Sequence, residues 1–143
     1  MEKITRTVGA LVFRDSAVLL VQHKEAASFL TGTYGLPSGR IKESESEKEA
    51  AVRELQEETG LNTITDDLIE YPDNLYHASI ERKGGEIVNF SWRVFIVRSF
   101  SGQLKESEET SPEWVSVVEI GRYNLLHNVY NAVQAGLKFF RKQ

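Results

Sequence analysis

Two runs rich in Val, Leu and Phe come early in the chain, Thr5 to Arg14 and Ala17 to Gln22, and the polar pair Asp15-Ser16 between them suits a tight turn. The pattern predicts two core strands joined as a hairpin. Gly32, Gly35, Pro37 and Gly39 then fall too close together for a helix, so this stretch reads as a loop or a short strand ending at Pro37-Ser38-Gly39. A helix follows, because Ser44 or Ser46 can cap free amides, with Glu47 or Glu49 three residues on to complete a capping box and Gly60 as the stop. Beyond it, Asn74 to Glu81 and Glu86 to Phe100 flank Lys83-Gly84-Gly85, a second hairpin signal, and the later arm is dense in β-branched and aromatic residues. Gly102 to Thr110 reads as a polar, acidic loop and Trp114 to Val118 as a short strand, while apolar residues at helical spacing predict a helix over Tyr123 to Phe140. This order, with no internal repeat or low-complexity linker, predicts an α/β domain with a mixed sheet between helices.

Composition narrows the function more than the fold. A chain of 143 residues, 41% hydrophobic and 27% charged, has the size and balance of a single soluble domain spanning 1–143. The apolar stretches Val8 to Phe13 and Ala17 to Val21 fall far short of the roughly 20 residues that span a bilayer, so no membrane segment is expected. The first residues lack the basic end, apolar run and cleavage site of a secretory signal, which makes the cytoplasm the expected location. Without cysteine, any metal must be held by oxygen or imidazole, and with only three His the carboxylates dominate that choice. A net charge of −4 offers no general attraction to nucleic-acid phosphates, so a polymer of DNA or RNA is not an expected partner.

The chemistry gathers on the first helix. At about 100° per residue, Glu54, Glu57 and Glu58 fall within one arc of about 100°, with Val52, Leu55 and the Thr59 methyl on another side. Glu54 and Glu58 are like charges at i and i+4, and Glu57 and Glu58 sit where the helix dipole opposes them. Arg53 can pair with Glu49 or Glu57 but cannot neutralise all three. A hard divalent cation such as magnesium takes such oxygens and bridges them to phosphate. The plainer alternative is a solvated, charge-rich face.

The stretch Gly39 to Leu61 decides between them, because it resembles the Nudix box: a Gly, five residues, a Glu, seven residues, then Arg-Glu, an aliphatic, any residue, Glu-Glu, any residue, Gly and an aliphatic. Gly39, Glu45, Arg53, Glu54, Leu55, Glu57, Glu58, Gly60 and Leu61 fill every fixed position. Leu36-Pro37-Ser38-Gly39 resembles the family's Leu-Pro-Gly-Gly lead-in, with Ser38 in place of the commoner Gly, a replacement that requires the backbone there to avoid positive φ or to tolerate some strain.

The resemblance implies a Nudix-like α/β/α sandwich with a mixed β-sheet and a magnesium-dependent hydrolase, with Mn2+ as a substitute ion. The bond cleaved would be a phosphoanhydride in a nucleoside diphosphate linked to another group, as in nucleoside triphosphates, dinucleoside polyphosphates and nucleotide sugars. By the same resemblance Glu54, Glu57, Glu58 and the Gly39 carbonyl would bind the metal, and Glu54, Glu57 and Arg53 would form the catalytic set, with Arg53 holding a glutamate in place. Glu45 would assist the metal, support the loop or cap the helix. The general base would be a box glutamate or a carboxylate among Glu106, Glu108, Glu109 and Glu113.

Arg40 and Lys24 are the candidates for phosphate contacts. Tyr34, Tyr76, Phe90 and Trp92 would stack a nucleobase or fill the core, and His23, His77 and His127 are scattered with no ligand spacing. The expected partner is a small nucleotide, with homodimerisation left open. The competing reading is a nucleotide-binding regulatory module with little or no turnover; loss of box carboxylates would favour it, and none is lost.

Overall fold

In the computed structural model, which describes residues 3–24, 31–82 and 84–142, the first apolar run does not stay in one strand. It divides into β1 (Ile4–Leu11) and β2 (Phe13–Arg14), which join different sheets across the buried Val12. The expected hairpin is therefore β2 with β3 (Ala17–His23), turned by Asp15 at φ 55, a left-handed conformation that Asp tolerates. The remaining strands are β4 (Tyr34–Gly35), β5 (Ser38–Arg40), β6 (Leu68–Ile69), β7 (Leu75–Glu81), β8 (Ile87–Val97) and β9 (Thr110–Ser116), with helices α1 (Glu47–Thr59) and α2 (Val129–Arg141).

One sheet runs β5-β1-β8-β6, with β7 also paired to β8. It is mixed, as expected, because β1 and β8 pair in parallel from Ile4 opposite Asn89 to Leu11 opposite Ile96, while its other pairs are antiparallel. The strands divide between this sheet and a second, antiparallel one, β2-β3-β4 with β9 along β3, so there are two sheets where the sequence suggested one. The strand period of two sends alternate residues to opposite faces of the mixed sheet. Val8, Ala10, Phe95 and Val97 pack with Ala50, Ala51 and Leu55 of α1, whereas Leu11, Val94 and Ile96 pack with Val115, Ala132 and Val133 on the α2 side. Gly136 lets α2 come this close, since a Cβ there would overlap the Leu11 side chain. Among the described residues no helix is long and apolar enough to cross a membrane.

The caps of α1 follow the sequence. Ser46 is the N-cap: its Oγ accepts from the Glu49 amide at 3.0 Å, and Glu49 Oε1 accepts from the Ser46 amide at 2.8 Å. Gly60 closes the helix at φ 83, with its amide bonded to the Gln56 carbonyl. Ala50, Ala51, Leu55 and Thr59 are its buried residues, while Val52 is only half-buried, so the packed stripe keeps Leu55 and Thr59 of the expected side and shifts from Val52 toward Ala51.

Two boundaries shift for physical reasons. α2 starts at Val129 rather than Tyr123, because the chain from Tyr123 first runs alongside β4. The Tyr34 amide donates to Asn124 O and the Leu126 amide to Tyr34 O, so Tyr123, Leu125 and Leu126 reach the core without helical backbone. Asn128 at φ 72 then turns the chain into the helix. β9 likewise begins at Thr110, inside the stretch read as loop, because β3 supplies it a full antiparallel partner. Of the second hairpin, Lys83 lies outside the described residues, and Arg82 and Glu86 close its base through an amide-to-carbonyl bond of 2.7 Å.

Candidate functional site

The site is built around β5, whose three residues border α1 on one side and a cavity on the other. On the α1 side, Gly39 faces Glu54 so closely that any Cβ would overlap the Glu54 carboxyl group. This steric demand explains the glycine. Ser38 lies in extended strand and not among the residues of positive φ, so a serine fits where the lead-in pattern commonly has glycine. Its amide donates to Glu58 Oε1 at 2.6 Å.

Arg53 organises the carboxylates. Its Nε and Nη2 grip Glu45 in a two-pronged pair at 2.7 and 2.9 Å, its Nη1 donates to Glu54 at 2.7 Å and reaches Glu57 at 3.3 Å, and Nη2 also donates to the Arg40 carbonyl at 2.9 Å. Of the two partners the sequence offered Arg53, Glu57 is met, and Glu49 is spent on the cap. Glu45 supports the loop: it holds Arg53 and accepts from the Lys42 amide at 2.9 Å, while the cap belongs to Ser46. The hydrogen bond from Arg53 keeps the Glu45 carboxyl at about 2, well below its ordinary value, with the Lys42 amide adding to the effect.

The face is electrostatically crowded. Burial, above all, pushes Glu58 up to about 8 against the opposing pull of the Ser38 amide, and the charges of Glu54, Glu109 and Glu57 raise it further. Burial raises Glu54 too, with Arg53 opposing, and Glu57 and Glu45 add repulsion. Glu57 is the open member, 49% exposed against 14% for Glu54. Every donor here is a hard oxygen. Among the described residues no three His, Cys, Asp or Glu side chains already converge as a cage, since Glu54 turns to Arg53 and Glu58 to Ser38. That donor set fits an ion such as magnesium, which takes one or two carboxylates and completes its shell with carbonyl, water and phosphate oxygens.

The other candidates separate clearly. Of the late carboxylates, Glu109 is the one whose charge reaches Glu58. Glu106 accepts from Ser111 Oγ at 2.8 Å and lies 3.6 Å from the Lys24 ammonium. Glu113 acts on Tyr34, whose hydroxyl is raised by burial first and by this carboxylate next. Glu108 is exposed. Lys24 donates to the Ser107 carbonyl at 2.9 Å, which places it on the late loop, whereas Arg40 is exposed and borders the cavity.

That cavity has a volume of about 530 Å³. Ser38, Gly39 and Arg40 form one border, Phe90, Trp92 and Ile80 an apolar wall, and Leu126 to Val129 the entrance to α2. Phe90 and Trp92 are thus the two of the four aromatic candidates that face it. Tyr76 stands behind Trp92 at 5.6 Å between ring centroids, and Tyr34 packs edge-on against Tyr123. The sequence reading missed the histidines: His23, His77 and His127 all line this cavity. They come from β3, β7 and the segment before α2, so no spacing along the chain announces them; only strand register, which sets Ala78 opposite Phe90, would bring His77 near. His23 is fixed by donating Nδ1–H to the Thr33 carbonyl at 3.1 Å.

Residues 3–135 match the NUDIX domain family. A CTP pyrophosphohydrolase of Escherichia coli is 31% identical over 125 residues, covering 86% of this chain and 84% of that protein. An 8-oxo-dGDP phosphatase of Mus musculus is 35% identical over 127 residues, 85% of this chain but only 35% of that larger protein. The solution structure of the E. coli ORF135 protein superposes with a TM-score of 0.71 at 28% identity, covering 99% of this chain and 94% of that one. The fold is shared as well with a MutT Nudix hydrolase from Burkholderia pseudomallei, with a TM-score of 0.79 at 22% identity over 94% of this chain and 98% of that one. The filled box, the two-sheet sandwich and this family match together place the chain in the Nudix hydrolase family.

Proposed function

We propose that the chain hydrolyses a phosphoanhydride bond of a nucleoside diphosphate linked to a further group, with a nucleoside triphosphate as the simplest such substrate. One observation carries the reading: β5 borders both the carboxylate face and the cavity, so a nucleoside seated against Phe90 and Trp92 would extend its phosphates past Gly39 toward Glu54, Glu57 and Glu58. Two relatives act, by their names, on CTP and on 8-oxo-dGDP, a nucleoside triphosphate and a nucleoside diphosphate.

Glu54, Glu57, Glu58 and the Gly39 carbonyl would hold a magnesium ion, with Mn2+ as a substitute, and the bound ion would neutralise phosphate charge and lower the pKa of the attacking water. Arg53 keeps Glu54 aimed at β5 by its 2.7 Å bond and is a positioning residue. Glu57, the most open box carboxylate, or Glu109, whose charge reaches Glu58, would take the proton of the attacking water. Arg40, exposed at the cavity border, meets the phosphates, and Lys24 steadies the late loop through Ser107.

The test is phosphate and pyrophosphate release from nucleoside di- and triphosphates, dinucleoside polyphosphates and nucleotide sugars over titrations of magnesium and manganese. Release that requires the metal and saturates with one nucleotide class supports the proposal. Tight nucleotide binding with no release from any member of the panel overturns it in favour of a regulatory binding module.

A further inference from the structure

The Trp92 indole is clamped on three sides. Beneath it, Gly9 of β1 leaves just enough room, because a Cβ there would stand 2.6 Å from Trp92 Nε1 and 2.8 Å from Ser38 Oγ. Behind it, Tyr76 lies at 5.6 Å between ring centroids and is itself held by a hydroxyl contact of 3.1 Å with the buried Tyr71. At its polar edge, Nε1–H donates to Ser38 Oγ at 3.1 Å across 54 positions of sequence. An indole carries one donor, and a buried one costs stability unless it finds an acceptor. Glycine at position 38, the residue commoner in the lead-in pattern, would supply no side-chain acceptor.

Ser38 also faces the other half of the site, through its amide on Glu58 at 2.6 Å. The same residue therefore touches the cavity wall with its side chain and the carboxylate face with its main chain. We propose that Ser38 is a specificity-setting positioning residue, whose hydroxyl holds Trp92 as a preformed wall of the nucleoside cavity and fixes that wall relative to Glu58. This rests on the cavity being the nucleoside site. Holding the indole in its bound orientation beforehand removes an ordering cost that would otherwise weaken binding of a flat, aromatic base. The effect belongs to recognition of the base and not to the chemical step, so it separates KM from kcat.

The experiment uses the Trp114→Phe background, in which Trp92 is the remaining tryptophan of the two in the chain. Ser38→Ala, Ser38→Gly and Ser38→Thr are compared by Trp92 emission, by quenching of that emission on titration with a nucleoside monophosphate without metal, and by steady-state kinetics on the best substrate. Ser38→Ala and Ser38→Gly should shift the Trp92 emission and raise the nucleotide Kd and KM about fivefold, the scale of one hydrogen bond, with kcat within about twofold. Ser38→Thr, which keeps the acceptor, should restore most of the emission and the KM.

If quenching is normal in the background protein and Ser38→Ala matches it in emission, Kd and KM, the nucleoside reading stands and the Ser38 assignment is overturned. A fall in kcat with KM unchanged also overturns it, placing Ser38 in the chemistry through Glu58. If hydrolysis proceeds but no nucleotide quenches Trp92, the cavity is not the nucleoside site and both readings fall. Quenching without hydrolysis sinks the proposed enzymatic reaction alone, and the Ser38 assignment is then decided on emission and Kd.

Discussion

The face of α1 that carries Glu54, Glu57 and Glu58 and the cavity lined by Phe90 and Trp92 share β5 as a common wall, yet different forces maintain them. Like charges crowd the α1 side, where Arg53 holds Glu45, Glu54 and Glu57 at once and Glu58 relies on one amide. The cavity side is shaped by packing: a glycine that makes room, an aromatic neighbour and a single polar anchor position one indole. The first region depends on its balance of charge, whereas the wall formed by Trp92 depends on the volume left by Gly9 and on one hydrogen bond. Substitutions should therefore sort by side, with charge changes read in turnover and melting, and shape changes read in substrate affinity.

The largest effect should come from removing charge on the α1 side. Glu57→Gln and Glu58→Gln should each lower turnover on the order of 100-fold, the scale on which one preorganised group acts on a charged transition state. Neither should lower the melting temperature in EDTA: Glu57→Gln removes a charge that opposes Glu54 and Glu58, and Glu58→Gln replaces a carboxyl whose buried charge is already disfavoured. Turnover over a magnesium titration and thermal unfolding in EDTA read the two quantities separately. Early melting with wild-type turnover would make these carboxylates structural and erase the contrast.

Arg53→Lys comes next and should move stability in the opposite sense. A lysine cannot reproduce the fork that spans three glutamates and a carbonyl, and a loss of about 2 kcal/mol in urea denaturation is expected. A change below about 0.5 kcal/mol would show the network to be as loose as an ordinary surface pair. On the cavity side, Phe90→Ala should raise KM about tenfold, as loss of one base-stacking ring does, while leaving the EDTA melting temperature nearly unchanged. An unaltered KM would remove the base from this pocket.

The smallest effect concerns acid. Glu45 is held at about 2 in the folded protein against an ordinary 4.5, so its contribution to stability is present above pH 4.5 and is lost as the pH falls toward 2. Glu45→Gln should flatten that limb of the stability profile, followed by melting between pH 7 and pH 3. A mutant whose acid limb keeps the wild-type slope would show that the pair with Arg53 does little in solution.

What could be read beforehand follows the same division. The α1 side is local: its glycine, cap, charges and stop lie within Gly39 to Leu61, where helix geometry fixes which residues share a face. Even there, the tie between Glu45 and Arg53 and the approach of Glu54 to Gly39 needed β5 in place. The cavity is non-local, drawing on His23, His77, Trp92 and Leu126 from separate elements, and a histidine in a strand carries no signal of what it faces. The early strand run was misjudged where Val12 carries the chain between sheets, since continuous apolar residues suit either sheet. Tyr123 to Asn128 was misjudged because residues pressed onto a core from an extended segment can imitate helical periodicity.

The parallel pairing of β1 with β8 also bears on how the molecule assembles. Thr7 Oγ1 donates to the Ser91 carbonyl across 84 positions, and α1 lies wholly within that span. On a ribosome the acidic helix is therefore complete before β8 has emerged, with Ala50, Ala51 and Leu55 still lacking Phe95 and Val97 from the finished core. Closing so long a loop precedes any reward from the central ladder, which makes β1 meeting β8 a slow, late event in folding. Until then β1 lacks its parallel partner and the apolar stripe of α1 stays uncovered on the side that Phe95 and Val97 later fill.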